Sequence, residues 1–373
     1  MKKKILMSAA MLTCRKTRFL TEVLKSNRLI LPLMLIGAFP LLSVAQQSQI
    51  PPHTFSATSE SSSIEFATIL KKARDGDAVA QFEIARYLSD QLKMPIEESA
   101  LKEVIRWYTL SANQGHADSQ GYLGTFYLSG LGVEKDIGQA EKLLSQSAKG
   151  GSLIGTHNLA TMHMQGLTHS PSRKTANRLF KEAAERGYVD SMYSLGLMAN
   201  ESENIEEAYG WYEKAASLGH AESENNLAVY LLTGNKYVVQ DLEREFRLFQ
   251  ASAQKGFSLA QCSLGDMYMQ GTGCTSDLKQ ACYWYRKASE QGDGIAAYKL
   301  GINSALGIGM EVDELGAARL FLLAKKNGVN LMAERDELRK GILNGTYDRG
   351  VKNAIRIIEI TEKLTPPLRI SNS

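Results

Sequence analysis

Cysteine is scarce, with four in 373 residues. Cys14 lies in the basic N-terminal segment, and Cys262, Cys274 and Cys282 remain, an odd number that excludes a fully paired disulfide framework within one chain. No HExxH and no paired CxxC is present, so the common zinc signatures are missing. No apolar run reaches the ~20 residues that a membrane-spanning helix needs; the stretch Leu29–Leu42 holds 14. Excess basic charge is also lacking where it would matter. The net charge is +3, but residues 1–45 alone carry +7, so the remainder carries −4. A mildly acidic body argues against general nucleic-acid binding, which relies on clustered Lys and Arg. The hydrophobic fraction of 44% and charged fraction of 22% are those of an ordinary folded protein.

The N-terminal 45 residues have the order of an export signal. A basic stretch ends at Arg28, the apolar run follows, and Ser43-Val44-Ala45 gives a small-x-small site before Gln46. Cleavage after Ala45 is expected, leaving a periplasmic or secreted protein with no stable membrane insertion. The rival reading is an uncleaved anchor. Residues 46–63 are polar and Ser-rich with Pro51-Pro52, and read as a flexible linker.

From residue 64 onward one unit recurs. Gly115, Gly151, Gly187, Gly219, Gly256, Gly292 and Gly328 follow one another at steps of 36, 36, 32, 37, 36 and 36 residues. Four residues before each lies Ser or Ala, and eight before each lies a large apolar residue: Trp107, Leu143, Leu179, Trp211, Leu248, Trp284 and Leu320. Spacings of four stack side chains on one helix face, and Gly is the usual residue where such a helix stops. A second series is anchored on Ile84, Leu123, Leu159, Leu195, Leu227, Leu264 and Leu300, each followed by Ala or Gly and preceded at four residues by Ala, Ser or Gly. Small residues at fixed places let two helices approach closely. A Gly turn sits between the two helices, extended to Gly-x-Gly at Gly130, Gly271 and Gly307. The fourth unit is shortened, with Asn200-Glu201-Ser202-Glu203-Asn204 in place of the turn.

Residues 121–151 and 262–293 resemble Sel-1-like repeats, relatives of the tetratricopeptide repeat, and the resemblance covers roughly residues 64–330. It implies an all-α, right-handed α-solenoid of about seven helix–turn–helix repeats (units 78–115, 116–151, 152–187, 188–219, 220–256, 257–292 and 293–328). A helical cap is expected at each end, the last over 331–365, with 366–373 as a tail. Terminal caps are needed because each repeat buries its apolar faces only against neighbours. In tetratricopeptide relatives the first helix of each unit lines a concave groove. By that resemblance the positions two before and two after each anchor face a protein or peptide ligand: Phe82, Arg86, Thr125, His157, Thr161, Tyr193, Leu197, Asn225, Val229, Cys262, Asp266, Tyr298 and Ile302. The expected function is an exported interaction scaffold of the bacterial envelope or of host contact. The alternative is a hydrolase of β-lactams or peptidoglycan fragments, a description attached to cysteine-rich members whose regular disulfides this chain lacks.

Catalytic, cofactor-binding and metal residues are expected to be none. The Gly-x-Gly turns lie between helices at repeat spacing, whereas a nucleotide loop follows a strand. His157 and His163 fall about 240° apart on a helix, which does not make a ligand pair. Cys274 and Cys282 are a candidate disulfide in an oxidising compartment, against the plain reading of two small packed side chains. Ser276-Asp277-Leu278-Lys279 matches an S-x-x-K spacing, but it opens a repeat helix where Ser or Asp ordinarily caps.

Overall fold

The computed structural model describes residues 60–92, 95–234, 239–344 and 349–364. The expected signal 1–45, most of the linker and the tail lie outside the described residues. The chain divides into two compact units, one ending at Asn204 and the other beginning at Ile205. The first holds α1 (Glu60–Arg74), α2 (Ala78–Asp90), α3 (Glu98–Asn113), α4 (Ala117–Ser129), α5 (Ile137–Lys149), α6 (Leu153–Gln165), α7 (Arg173–Glu185) and α8 (Val189–Glu201). The second holds α9 (Ile205–Ser217), α10 (Ala221–Thr233), α11 (Leu242–Gln254), α12 (Ser258–Gln270), α13 (Leu278–Glu290), α14 (Gly294–Leu306), α15 (Glu314–Lys326), α16 (Leu331–Leu343), a short 3-10 turn (Arg349–Val351) and α17 (Lys352–Leu364). The fold is an all-α solenoid, and no strand occurs among the described residues. α1 starts at Glu60, inside the segment expected to be linker.

Local chemistry sets the helix ends. Asp136, Ser172, Asp241, Asp277 and Asp313 each cap a second helix by accepting from a backbone N–H within the first turn. The first helices α4, α6, α12 and α14 end on left-handed Gly130, Gly166, Gly271 and Gly307. The fourth repeat manages without glycine. Glu203 itself takes φ +58°, and the Asn204 N–H closes on the Ala199 carbonyl at 2.9 Å.

The deepest large side chains of the second helices lie one residue beyond the large apolar positions read from the sequence. Tyr108, Leu144, Phe180, Tyr212, Phe249, Tyr285 and Phe321, each seven before the closing Gly, are at most 3% exposed. Burial of a side chain this size contributes about 1.5–3 kcal/mol. This explains the Ala or Gly after each anchor. A Cβ on Gly265 would stand 2.6 Å from the Tyr285 ring, and one on Gly301 2.8 Å from the Phe321 ring. Where the serine four before the Gly is present, its hydroxyl ties the repeat together: Ser111, Ser147 and Ser252 donate to the carbonyls of Ala78, Ala117 and Ala221 at 2.6, 2.6 and 2.7 Å.

The second glycine of Gly-x-Gly serves packing between repeats. Gly309 has φ +70°, and a Cβ there would collide with the Leu278 carbonyl at the start of the preceding second helix. Gly273 meets the Leu242 carbonyl in the same way. Each turn therefore lies on the repeat before it, which gives the array its nearest-neighbour cohesion.

Candidate functional site

In the first unit the positions expected to face a groove divide into packed and open ones. Phe82 is buried, with its ring 4.7 Å from His116 and 6.0 Å from Tyr122. Tyr122 in turn stacks on Tyr108 at 5.0 Å. Burial pushes the Tyr122 hydroxyl up to about 12, so it stays a neutral donor. Arg86 is half-buried beside this group. Burial raises the nearby Asp90 carboxyl, and the Arg86 guanidinium opposes that rise.

The next positions link successive repeats. Thr125 accepts from Asn158 Nδ2 at 2.8 Å, joining repeats two and three. His157 Nδ1 lies 3.0 Å from Ser191 Oγ, joining repeats three and four, with its ring 5.3 Å from Phe180 and 5.2 Å from Tyr188. Ser191 is fully buried, so the pair cannot act on a substrate from solvent. Thr161 is buried and donates to the His157 carbonyl at 3.1 Å. Arg86, Thr125, His157, Tyr193 and Leu197 keep part of their surface exposed.

The second unit is more closed. Asn225 is buried and donates to Asn226 Oδ1 at 3.2 Å; Val229 is half-buried. Asp266 is the centre of a polar cluster. It accepts from the Tyr285 hydroxyl at 2.7 Å and from Lys299 Nζ at 2.7 Å. Lys299 Nζ also lies 3.7 Å from Cys262 Sγ. Burial works against the Lys299 charge, but the Asp266 carboxylate outweighs it and holds the ammonium above its ordinary range. Burial pushes the Cys262 thiol far up, so it is no nucleophile. Tyr298 and Ile302 are core residues, 6% and 2% exposed.

The candidate disulfide does not form in this structure. Cys262, Cys274 and Cys282 are all free thiols. Cys274 packs beside Phe249 and Met267, in the layer with the preceding repeat. Cys282 faces the following repeat, with its thiol 3.2 Å from the Ile308 carbonyl and Asn303 Nδ2 at 3.4 Å. The two sulfurs serve different interfaces. Ser276 and Lys279 are both exposed, and the Ser276 hydroxyl points to the Met269 carbonyl at 3.4 Å. Asp277 is the cap that occupies this turn. Among the described residues no three His, Cys, Asp or Glu side chains converge as metal ligands, and no helix is long and apolar enough to cross a membrane.

What the arrangement offers is a stripe of partly exposed polar and aromatic side chains on rigid first helices. The sequence matches the profile of the Sel1 repeat at residues 78–116, 117–152, 154–188, 189–220, 221–257, 258–293 and 294–329. Chitin synthase regulatory factor 3 of Schizosaccharomyces pombe is 31% identical over 185 residues, which span 47% of this chain and 20% of that protein. The structure of c5321, a protective antigen of uropathogenic Escherichia coli with an SLR fold, is 28% identical with a TM-score of 0.60, covering 80% of this chain and 63% of that one. A Sel1 repeat protein from Oxalobacter formigenes is 26% identical with a TM-score of 0.58, covering 66% of this chain and 99% of that one. Repeats of this kind generally mediate protein–protein interactions. Seven consecutive matches over most of its length settle the assignment: the chain belongs to the Sel1 repeat family.

Proposed function

We propose that this chain is an exported scaffold that holds a protein or peptide partner against its first helices. The observation that carries the reading is the stripe Arg86, Thr125, His157, Tyr193 and Leu197, partly open to solvent while tied to well-packed repeats. Rigid support beneath partly exposed aromatic and Arg side chains is the arrangement that interface anchors need. Export is supported by the basic, apolar and small-x-small order of residues 1–45, and likeness to a protective antigen fits a protein displayed outside the cytoplasm. His157, the histidine of the stripe, is held by Ser191, Phe180 and Tyr188, which favours a structural role for it over turnover.

Crosslinking in the cell envelope followed by mass spectrometry tests the binding role. A specific partner is expected, and its yield is expected to fall when Arg86, Tyr193 and Leu197 are replaced together by Ala. Recovery of no partner, or of one indifferent to those substitutions, would defeat the reading. N-terminal sequencing of the mature protein tests export separately: a start at Gln46 is expected.

A further inference from the structure

The outward face of the second unit changes character along its length. On each second helix the residues thirteen, nine, six and two before the closing glycine fall within about 60° of one another. They lie about 200° round the helix from the buried position seven before that glycine, so this stripe points away from the core. In α9 and α11 the stripe carries Glu206, Glu213 and Glu243 against Arg247, a charge of −2. In α13 it reads Lys279, Tyr283, Arg286 and Glu290, and in α15 Leu315, Arg319, Leu322 and Lys326, a charge of +3. Every one of these α13 and α15 side chains is exposed. Leu315 is 64% exposed, Tyr283 48% and Leu322 38%.

Two departures from the rest of the array stand out. At the stripe positions of Leu315 and Leu322, none of the other six repeats carries an aliphatic residue. The cations of this face are also unneutralised. On α11 Arg247 pairs with Glu243 one turn away at 2.9 Å. Lys279, Arg286, Arg319 and Lys326 form no ion pair among the described residues, and the pairs that α15 does make, through Glu314 and Lys325, run from its flank to α17. α13 and α15 both pack on α14, and the turn before α15 rests on Leu278 at the start of α13. The two stripes therefore belong to neighbouring repeats of one face.

We infer that the outward face of α13 and α15 seats on an anionic lipid surface, with its cations against the phosphate groups and Leu315, Leu322 and Tyr283 at the acyl boundary. The interleaving of charge and apolar side chains carries the choice of partner. A protein interface gathers apolar residues at its centre and sends charge to the rim. Here Arg319 stands between the two leucines, and Tyr283 stands between Lys279 and Arg286. A lipid surface meets both kinds of side chain at once, because long cations reach its phosphates while apolar tips enter just below. This is contact with a surface, since no described helix is long and apolar enough to cross a membrane. It is independent of the first-helix stripe and of export.

The test uses the full-length chain with vesicles of phosphatidylglycerol and brominated phosphatidylcholine, or of brominated phosphatidylcholine alone. Residues 1–45 are basic and apolar and can hold the chain to a vesicle by themselves, so the readout is the face that meets lipid. Leu315→Trp is expected to lose most of its added fluorescence to bromine quenching on the anionic vesicles and little on the neutral ones. Glu243→Trp, at the same stripe position two repeats earlier, is expected to keep its fluorescence on both. Adding Arg286→Gln and Arg319→Gln to the Leu315→Trp chain is expected to weaken lipid contact about twentyfold, which is about fivefold per cation. All four positions are exposed, and coincident thermal melts check that the variants fold alike. Absence of quenching at position 315 would overturn the proposal and leave the face to an acidic protein partner. Equal quenching at 315 and 243 would overturn it by showing attachment without a preferred face. Quenching that ignores the loss of the two arginines, or is as strong on neutral vesicles, would overturn it by showing that the cations do not choose the surface.

Discussion

The two ends of the molecule are closed by different means. At the N-terminal end α1 behaves as a regular second helix. It stops at Gly76 with φ +101°, like the glycine that closes every repeat. Asp77 N–H returns to the Lys72 carbonyl as His116 N–H returns to Ser111, and Gln81 Nε2 reaches the Ala73 carbonyl at 3.1 Å as Gln120 Nε2 reaches Ala112 at 3.3 Å. At the C-terminal end the repeat grammar stops at Gly328, and α17 seals the last pair by lying parallel to α15. Both ends bury apolar side chains, Ala73 with Phe66, Ile69 and Leu70 at the first and the α17 isoleucines at the second, but only the first joins the array through the repeat's own glycine turn. The difference teaches where each end is vulnerable: a charge placed under the terminal helix costs more at the second end, where that helix is more deeply buried, than at the first.

The largest expected effect follows at the C-terminal end. Ile358 is fully buried in the cluster beneath α17, so Ile358→Asp places an unpartnered charge there. A loss of about 4 kcal/mol is expected, at the upper end for single substitutions. Ile69 in α1 is only half-buried, and Ile69→Asp is expected to cost about 1–2 kcal/mol. Urea unfolding of the two variants reads the difference, and equal losses would erase the comparison.

Backbone substitutions probe the turns. Gly309→Ala combines φ +70° with a collision against the Leu278 carbonyl, and a loss of about 2–3 kcal/mol is expected. Gly76→Ala has φ +101° with nothing within 4 Å, so only the backbone strain remains, about 1 kcal/mol. Thermal melts of the two single variants rank them. If Gly76→Ala proved the costlier, the turn at the N-terminal end would be doing more than ending a helix.

Much of this was legible in the sequence because it depends on spacing. Seven glycines at near-constant steps fixed the period, and the small residues beside each anchor marked the close approaches that Tyr285 and Phe321 later explain. The depth of burial was not legible. Trp107 and Tyr108 sit about 100° apart within one apolar face, and periodicity cannot say which goes deeper; it is Tyr108. The groove positions came from resemblance and therefore carried no knowledge of neighbours. Phe82 and Tyr298 are consumed by packing because His116 and Tyr122 in one case, and α17 in the other, happen to lie over them. The direction of α17 leaves no mark in its own sequence pattern, since an amphipathic helix presents the same face whichever way it runs.

The smallest expected effect separates the ends by pH. His116 caps α4 with Nδ1, which accepts the Ser119 N–H at 3.3 Å and lies 3.0 Å from its hydroxyl. Burial holds its pKa below the ordinary histidine value, with Asp118 opposing. The folded chain therefore keeps a neutral ring where the unfolded chain, titrating near about 6.5, takes a proton. The cap's contribution is fully present above that value, declines as pH falls through it, and is gone below the folded pKa. At the other end Asp293 caps α14, and burial raises its carboxyl. Its contribution has the opposite sign and acts in a more acidic window, between the ordinary carboxylate value and the raised one. Exposed His169, raised by its bond to Glu141, also opposes His116, so the whole-chain pH profile mixes signs. A chain with Trp211→Phe and Trp284→Phe leaves Trp107 to report on the first repeat. In that background the unfolding midpoint is expected to drop between neutral pH and pH near 6, and His116→Asn, which keeps an acceptor without a titration, is expected to flatten the drop. A slope that persists in the Asn variant would assign the effect to another group and leave the N-terminal end closed by its turns alone.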